Sequence, residues 1–221
     1  MRIRKYFIFI FSILLFSFFV YFSYVVHVGI FNQFDFDTTV KFQNHISRKF
    51  DFPFSVLSLA GSVEITGTIW FLFFIYSLIK KYFWLSFGLP LFWVGLTIEL
   101  FGKTFLYHPS PPFMFFRGIG FNFPITYVSS YGSYPSGHVY RSAFLLILVV
   151  IFLYFRKIRN GLYFGTLSLL FLILMMASRI YLGEHWTTDV LGGMLLGSSI
   201  ALFCGLFIPN KKLPHECQEM K

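Results

Sequence analysis

Residues 178–189 read SRIYLGEHWTTD, and they join two apolar runs that cover about 161–181 and 186–208. Each run approaches the roughly 20 residues that a bilayer-spanning helix needs. A polar island between two such runs is a turn at a membrane face. Ionisable groups are costly to hold there and mark a functional site by default. Two further islands interrupt the apolar chain, KTFLYHPSP at 103–111 and PSGH at 135–138.

Working outward, the whole chain has the same character. Its 221 residues are 57% hydrophobic and only 12% charged, and 34 of them are Phe. A soluble domain of this length could not bury so much apolar surface, so the chain reads as an all-α integral membrane protein. Six spans are expected, over about 6–28, 56–79, 83–105, 139–155, 161–181 and 186–208. No long polar linker separates them, so residues 1–221 read as a single domain, a bundle of six helices. The basic start, Met1 to Lys5, resembles a secretory signal. The apolar stretch behind it is too long and lacks a small-x-small cleavage site, so it is expected to stay as the first span. The segment 31–55 has Asp35 or Asp37 as a possible helix cap and Val40, Phe42, Ile46 and Phe50 as a loose apolar stripe. It is read as an interfacial helix or an ordered loop packed on the bundle. The loop 107–134 is long enough for a lid or a substrate entrance.

Charge placement sets the expected orientation. Of the 18 Lys and Arg residues, 11 flank spans on one side: Arg2, Arg4, Lys5, Lys80, Lys81, Arg156, Lys157, Arg159, Lys211, Lys212 and Lys221. That side should be cytoplasmic. Both termini then lie inside, and all three islands lie on the extracytoplasmic face of a plasma (inner) membrane. The net charge of +9 does not point to nucleic acid, because no basic face is interleaved with aromatics. Cys204 and Cys217 show no metal-ligand spacing and no disulfide pattern.

The islands suit phosphate chemistry. His185 and Asp189 are four residues apart, so on a helix their side chains meet. A carboxylate behind an imidazole fixes its tautomer and stabilises its cation. The alternative is a capping Asp beside a solvated His. Arg179, with Gly183 between it and His185, can reach the same face, and its planar fork suits bidentate phosphate binding. Pro135-Ser136-Gly137-His138 opens the fourth span, where backbone amides favour anions. Ser136 adds a hydroxyl, Gly137 permits close approach, and His138 is placed as a general acid. Lys103 alone would read as a snorkelling lysine; beside an anion site it reads as a phosphate contact.

The order K-x6-R-P, P-S-G-H and S-R-x5-H-x3-D resembles the signature of the type 2 phosphatidic acid phosphatase superfamily. Its relatives include undecaprenyl pyrophosphate phosphatases, glucose-6-phosphatase and vanadium haloperoxidases. Pro135 to His138 match the second element, and Ser178, Arg179, His185 and Asp189 match the third. The first is present as Lys103 and Pro111, but Ser110 stands where the family has arginine. The resemblance implies that His185 is the nucleophile of a phosphohistidine, Asp189 its orienting partner and His138 the acid for the leaving group. Lys103, Ser136, Gly137 and Arg179 are then phosphate ligands. Neither a metal nor another cofactor is implied. His108, Arg117 or Arg141 could replace the guanidinium missing at Ser110. The implied substrate is a lipid phosphate or pyrophosphate in the bilayer, with undecaprenyl pyrophosphate first and phosphatidylglycerophosphate or phosphatidate next. Phosphotransfer to another acceptor and a non-catalytic lipid-binding role remain open, as does the oligomeric state.

Overall fold

The computed structural model describes residues 2–121 and 132–209. Residues 122–131 of the expected lid, and Lys211, Lys212, Cys217 and Lys221, lie outside that range. Nine α-helices make up the described chain: α1 Arg2–His27, α2 Asn32–His45, α3 Asp51–Leu59, α4 Val63–Ile79, α5 Phe83–Gly88, α6 Leu91–Phe105, α7 Gly137–Phe155, α8 Gly161–Tyr181 and α9 Thr187–Gly205. Six helical segments are long and apolar enough to cross a membrane, with α3–α4 and α5–α6 each making one of them. The chain is an all-helical membrane protein, without strands among the described residues.

The helices differ in how they use their apolar surface. Nearly three quarters of the α9 window is buried (72%), as is over half of the α7 window (56%), against 17% for α1 and for α8. The interior pair packs through Tyr140, Phe144, Leu148 and Leu196, against Phe92 of α6. Around them, Phe7 on α1 and Leu162 on α8 point outward, as expected of side chains that face lipid rather than water.

The predicted spans need correction at their ends and in two interiors. The second helical segment begins at Arg48 rather than 56 and is interrupted at residues 60–62. There the Ser62 hydroxyl accepts from Ile65 N–H and starts α4 afresh. The break frees the Gly61 carbonyl, which finds a new partner in the Arg141 guanidinium. Non-helical backbone at membrane depth is tolerated when protein groups satisfy it in this way. The third segment breaks before Pro90, and the Leu89 carbonyl there accepts from both the Phe92 amide and the Trp70 indole, the latter at 2.9 Å. α7 starts two residues earlier than predicted, because Ser136 is its N-cap. α9 ends earlier, at Gly205, and the carbonyls just beyond it, Leu206 and Ile208, accept from Lys5.

Helix α2 also departs from expectation. Neither Asp35 nor Asp37 caps it; Phe31 is the N-cap and makes no side-chain bond. Its buried stripe is polar, Asp35, Thr39 and Gln43, while Phe34 and Phe36 are exposed. The polar stripe wins because α2 covers backbone and side-chain groups that need partners. Gln43 donates to the carbonyls of Phe115 and Tyr181, Thr38 bonds Thr187, and Asp35 bonds Thr188.

Candidate active site

The third island folds back on itself as its glycine requires. Gly183 adopts φ +67°, and a Cβ there would sit 2.1 Å from the Phe115 carbonyl oxygen. The turn lets the amides of Glu184 and His185 both donate to the Arg179 carbonyl, so the end of α8 and the start of α9 share one face. His185 Nδ1 then lies 3.3 Å from Asp189 Oδ2. The Trp186 amide donates to the same oxygen at 2.8 Å. Asp189 is thus both a helix cap and the partner of His185; the alternative reading keeps its capping Asp, but its solvated His is wrong, because His185 is buried.

Burial holds the His185 ring well below its ordinary value, and the charges of Arg179, Lys103 and Arg141 act in the same direction. The ring is therefore neutral at pH 7. With Nδ1–H directed at Asp189 the other nitrogen would carry a lone pair; the Ser133 backbone also lies within hydrogen-bond reach of the ring. Arg179 is buried, with Ser58 and Glu184 as partners of its terminal nitrogens. Its Nε is buried without a protein partner.

The second island is tied to the third by backbone. The Ser136 amide donates to the Asp189 carbonyl at 2.9 Å, which brings the start of α7 against the start of α9. Ser136 Oγ is buried and unpartnered. The first-turn amides of a helix lack intrahelical acceptors and carry the positive end of its dipole. His138 packs on the α3–α4 break, where a Cβ on Gly61 would touch its ring. Arg179, Arg141, Lys103 and His185 all lie within electrostatic range of it.

In the first island, Lys103 does not act alone. Its Nζ is 2.7 Å from Glu99 Oε1, and the other oxygen of Glu99 is 3.1 Å from Arg141. This chain runs directly behind the start of α7, since a Cβ on Gly137 would lie 2.0 Å from Glu99 and 2.7 Å from Arg141. Glu99 escaped the sequence reading, although a Glu-x3-Lys pair inside an apolar span was its signal. Of the accessory residues, Arg141 is buried beside the site. Arg117 instead stacks over the Tyr181 ring, 5.2 Å from its centroid. His108 approaches Asp189 from the side opposite His185, with Nε2 at 3.3 Å from Oδ1. Ser110 is half-buried and engaged with its surroundings.

Known proteins resemble this chain in fold and sequence. The fold matches a crystal structure of a transmembrane PAP2-type phosphatidylglycerolphosphate phosphatase from Bacillus subtilis, with a TM-score of 0.70. That match covers 95% of this chain and 97% of the other at 18% identity. In sequence, the chain is 31% identical over 107 residues to YbjG of Escherichia coli K12, named as an undecaprenyl-diphosphatase. The match spans 47% of this chain and about half, 48%, of that protein. The PAP2 superfamily model matches residues 82–213, a stretch that holds all three islands, and the chain belongs to that superfamily.

Proposed function

We propose that the protein is a membrane phosphatase that hydrolyses a lipid phosphate or pyrophosphate through a phosphohistidine at His185. The observation that carries this reading is the neutral, carboxylate-backed His185 among the cations Arg179, Lys103 and Arg141, beside the buried unpaired donors Arg179 Nε and Ser136 Oγ. Buried polar groups without partners are rare, and an anion with several oxygens would answer both. His185 attacks phosphorus with its free nitrogen, and Asp189 stabilises the resulting cationic ring. His138, charged once an anionic phosphate lies beside it, protonates the leaving oxygen, then takes a proton from the water that attacks the phosphohistidine. Lys103, Arg179, Ser136 and the Gly137 amide hold the non-bridging oxygens, a charge-stabilising role that preorganised donors fill well.

The substrate proposed first is undecaprenyl pyrophosphate, supported by the sequence similarity to YbjG; phosphatidylglycerophosphate is next, supported by the fold match. The positive-inside bias supports a site on the extracytoplasmic side of the inner membrane, with both termini in the cytoplasm. A lipid headgroup can then meet the islands while its tail stays in the bilayer.

The test is a phosphate-release panel of undecaprenyl pyrophosphate, phosphatidylglycerophosphate and phosphatidate, with and without EDTA. His185→Ala should abolish release from whichever lipid the wild type uses. Wild-type turnover persisting in that variant sinks the mechanism, and collapse in EDTA counts against its metal-free form. Recovery of phosphate on an added acceptor, instead of free in solution, would assign the chain to phosphotransfer.

A further inference from the structure

We infer that His108, anchored by Asp35 and Thr188, is a positioning residue that clamps the free oxygen of Asp189; the inference rests on the phosphatase reading above. Asp35 is buried on α2, 153 residues from Thr188 in the chain, and spends both oxygens on it. Oδ1 accepts from the Thr188 amide at 2.9 Å and Oδ2 from its hydroxyl at 2.6 Å. A carboxylate from another helix thereby caps the start of α9 and fixes the residue next to Asp189.

The tautomer of His108 follows from counting protons. The Thr188 hydroxyl has one hydrogen, and it is donated to Asp35. Toward His108 Nε2, 3.3 Å away, Thr188 offers only lone pairs. The other oxygens around that nitrogen, Asp189 Oδ1 at 3.3 Å and Asp35 Oδ2 at 3.7 Å, are carboxylate acceptors. With both carboxyls ionised, Nε2 carries a hydrogen. Asp189 Oδ1 makes no well-aligned hydrogen bond; the Ser133 hydroxyl also reaches this carboxylate, and a small turn of the His108 ring supplies the aligned donor. Asp189 then sits between two imidazoles of opposite tautomer, receiving Nδ1–H of His185 on one oxygen and Nε2–H of His108 on the other. When His185 bonds phosphorus its ring gains positive charge and keeps its Nδ1–H. His108 transfers no proton; it holds the carboxylate in plane for that moment.

The test uses full-length protein in detergent, with steady-state phosphate release from undecaprenyl pyrophosphate and inhibition by inorganic phosphate. A Gln amide places an N–H near the position of Nε2, whereas Asn mimics Nδ1. His108→Gln should lose less than about 3-fold in kcat. His108→Asn and His108→Leu should lose about 10-fold or more, the usual scale for a partner that orients an active-site ligand, with KM and phosphate inhibition unchanged. Asp35→Asn should fall between. His108 lines a cavity of about 420 Å³, which gives these side chains room. If His108→Leu still fails to fold, the Gln and Asn pair decides. Equal kcat in that pair, or KM changing in step with kcat, overturns the inference. Wild type without turnover on any lipid phosphate would remove the phosphatase reading and this inference with it. A dead His185→Ala beside an unaffected His108 series would remove this one alone.

Discussion

Asp189 and Glu99 are both fully buried carboxylates at one face of the bundle, yet their surroundings differ in kind. Asp189 lies between two neutral-capable rings, His185 and His108. Glu99 lies between two permanent cations, Lys103 and Arg141. The first arrangement would orient the proposed nucleophile; the second would fix the positions of charges that bind phosphate. A buried charge is costly unless paired, and each site meets that demand in the way its role requires. The difference predicts a split between chemistry and binding.

Asp189→Asn attacks the chemistry side and should have the largest effect. The amide can present its N–H to His185 and trap the wrong tautomer, as in the serine protease triad, where the same change costs about 10⁴-fold in kcat. A loss of at least about 100-fold in kcat with KM little changed is expected from steady-state phosphate release. Glu99→Gln attacks the other side. It leaves Arg141 buried beside a neutral amide, and Lys103 free to turn to solvent through its 27% exposed side chain. KM should rise about 10-fold with kcat less affected, and the melting temperature in detergent should drop. If Glu99→Gln moved kcat and left KM alone, the division of labour would fail.

A smaller effect sharpens the Glu99 side. Ser110 stands where relatives of this superfamily carry arginine, and Arg141 makes three hydrogen bonds, one to Glu99 and two to the Gly61 carbonyl. A guanidinium has five N–H donors, so two remain for substrate. If Arg141 supplies the missing cation, Ser110→Arg should change kcat/KM by less than about 3-fold in the wild type. In an Arg141→Ala background it should recover activity several-fold. Equal effects in both backgrounds would separate the two positions.

What the sequence revealed divides along the same line. The His185–Asp189 pair and the helix start at Ser136 were legible because each depends on spacing within one short segment. Six apolar runs likewise announced the helices, since a helix in lipid satisfies its own backbone. Contacts between distant segments left weaker traces. Asp35, like Asp37, reads as a possible local cap because Asp before an apolar stripe often is one; its partner Thr188 lies on another helix. Glu99 reads as one polar residue in a greasy span until Arg141 arrives from α7. The break at Gly61 has the same cause, because its carbonyl is affordable in the membrane only through Arg141.

The smallest predicted effect concerns pH and the far side of Asp189. Burial pushes His108 from its ordinary value near 6.5 down to about 4, and desolvation raises the neighbouring Asp35 carboxyl despite its bonds to Thr188. For His108 the folded value lies below the unfolded one. Below pH 6.5 the unfolded chain takes up a proton that the folded chain refuses, so this contribution is complete above 6.5 and is lost as pH falls toward 4. Asp35 acts oppositely, because a raised carboxyl value favours the folded state in acid, and it softens the slope. His185, also held low, adds to the loss in both wild type and variant. His108→Gln removes the His108 share alone. Melting temperatures in detergent, followed by intrinsic fluorescence from pH 7 to 4.5, should therefore fall less steeply for His108→Gln than for wild type. Parallel curves would mean that the His108 ring takes up its proton in the folded state, as a partner of two carboxylates would. It would then be a cation on the far side of Asp189, and the carboxylate would lie between unlike rings.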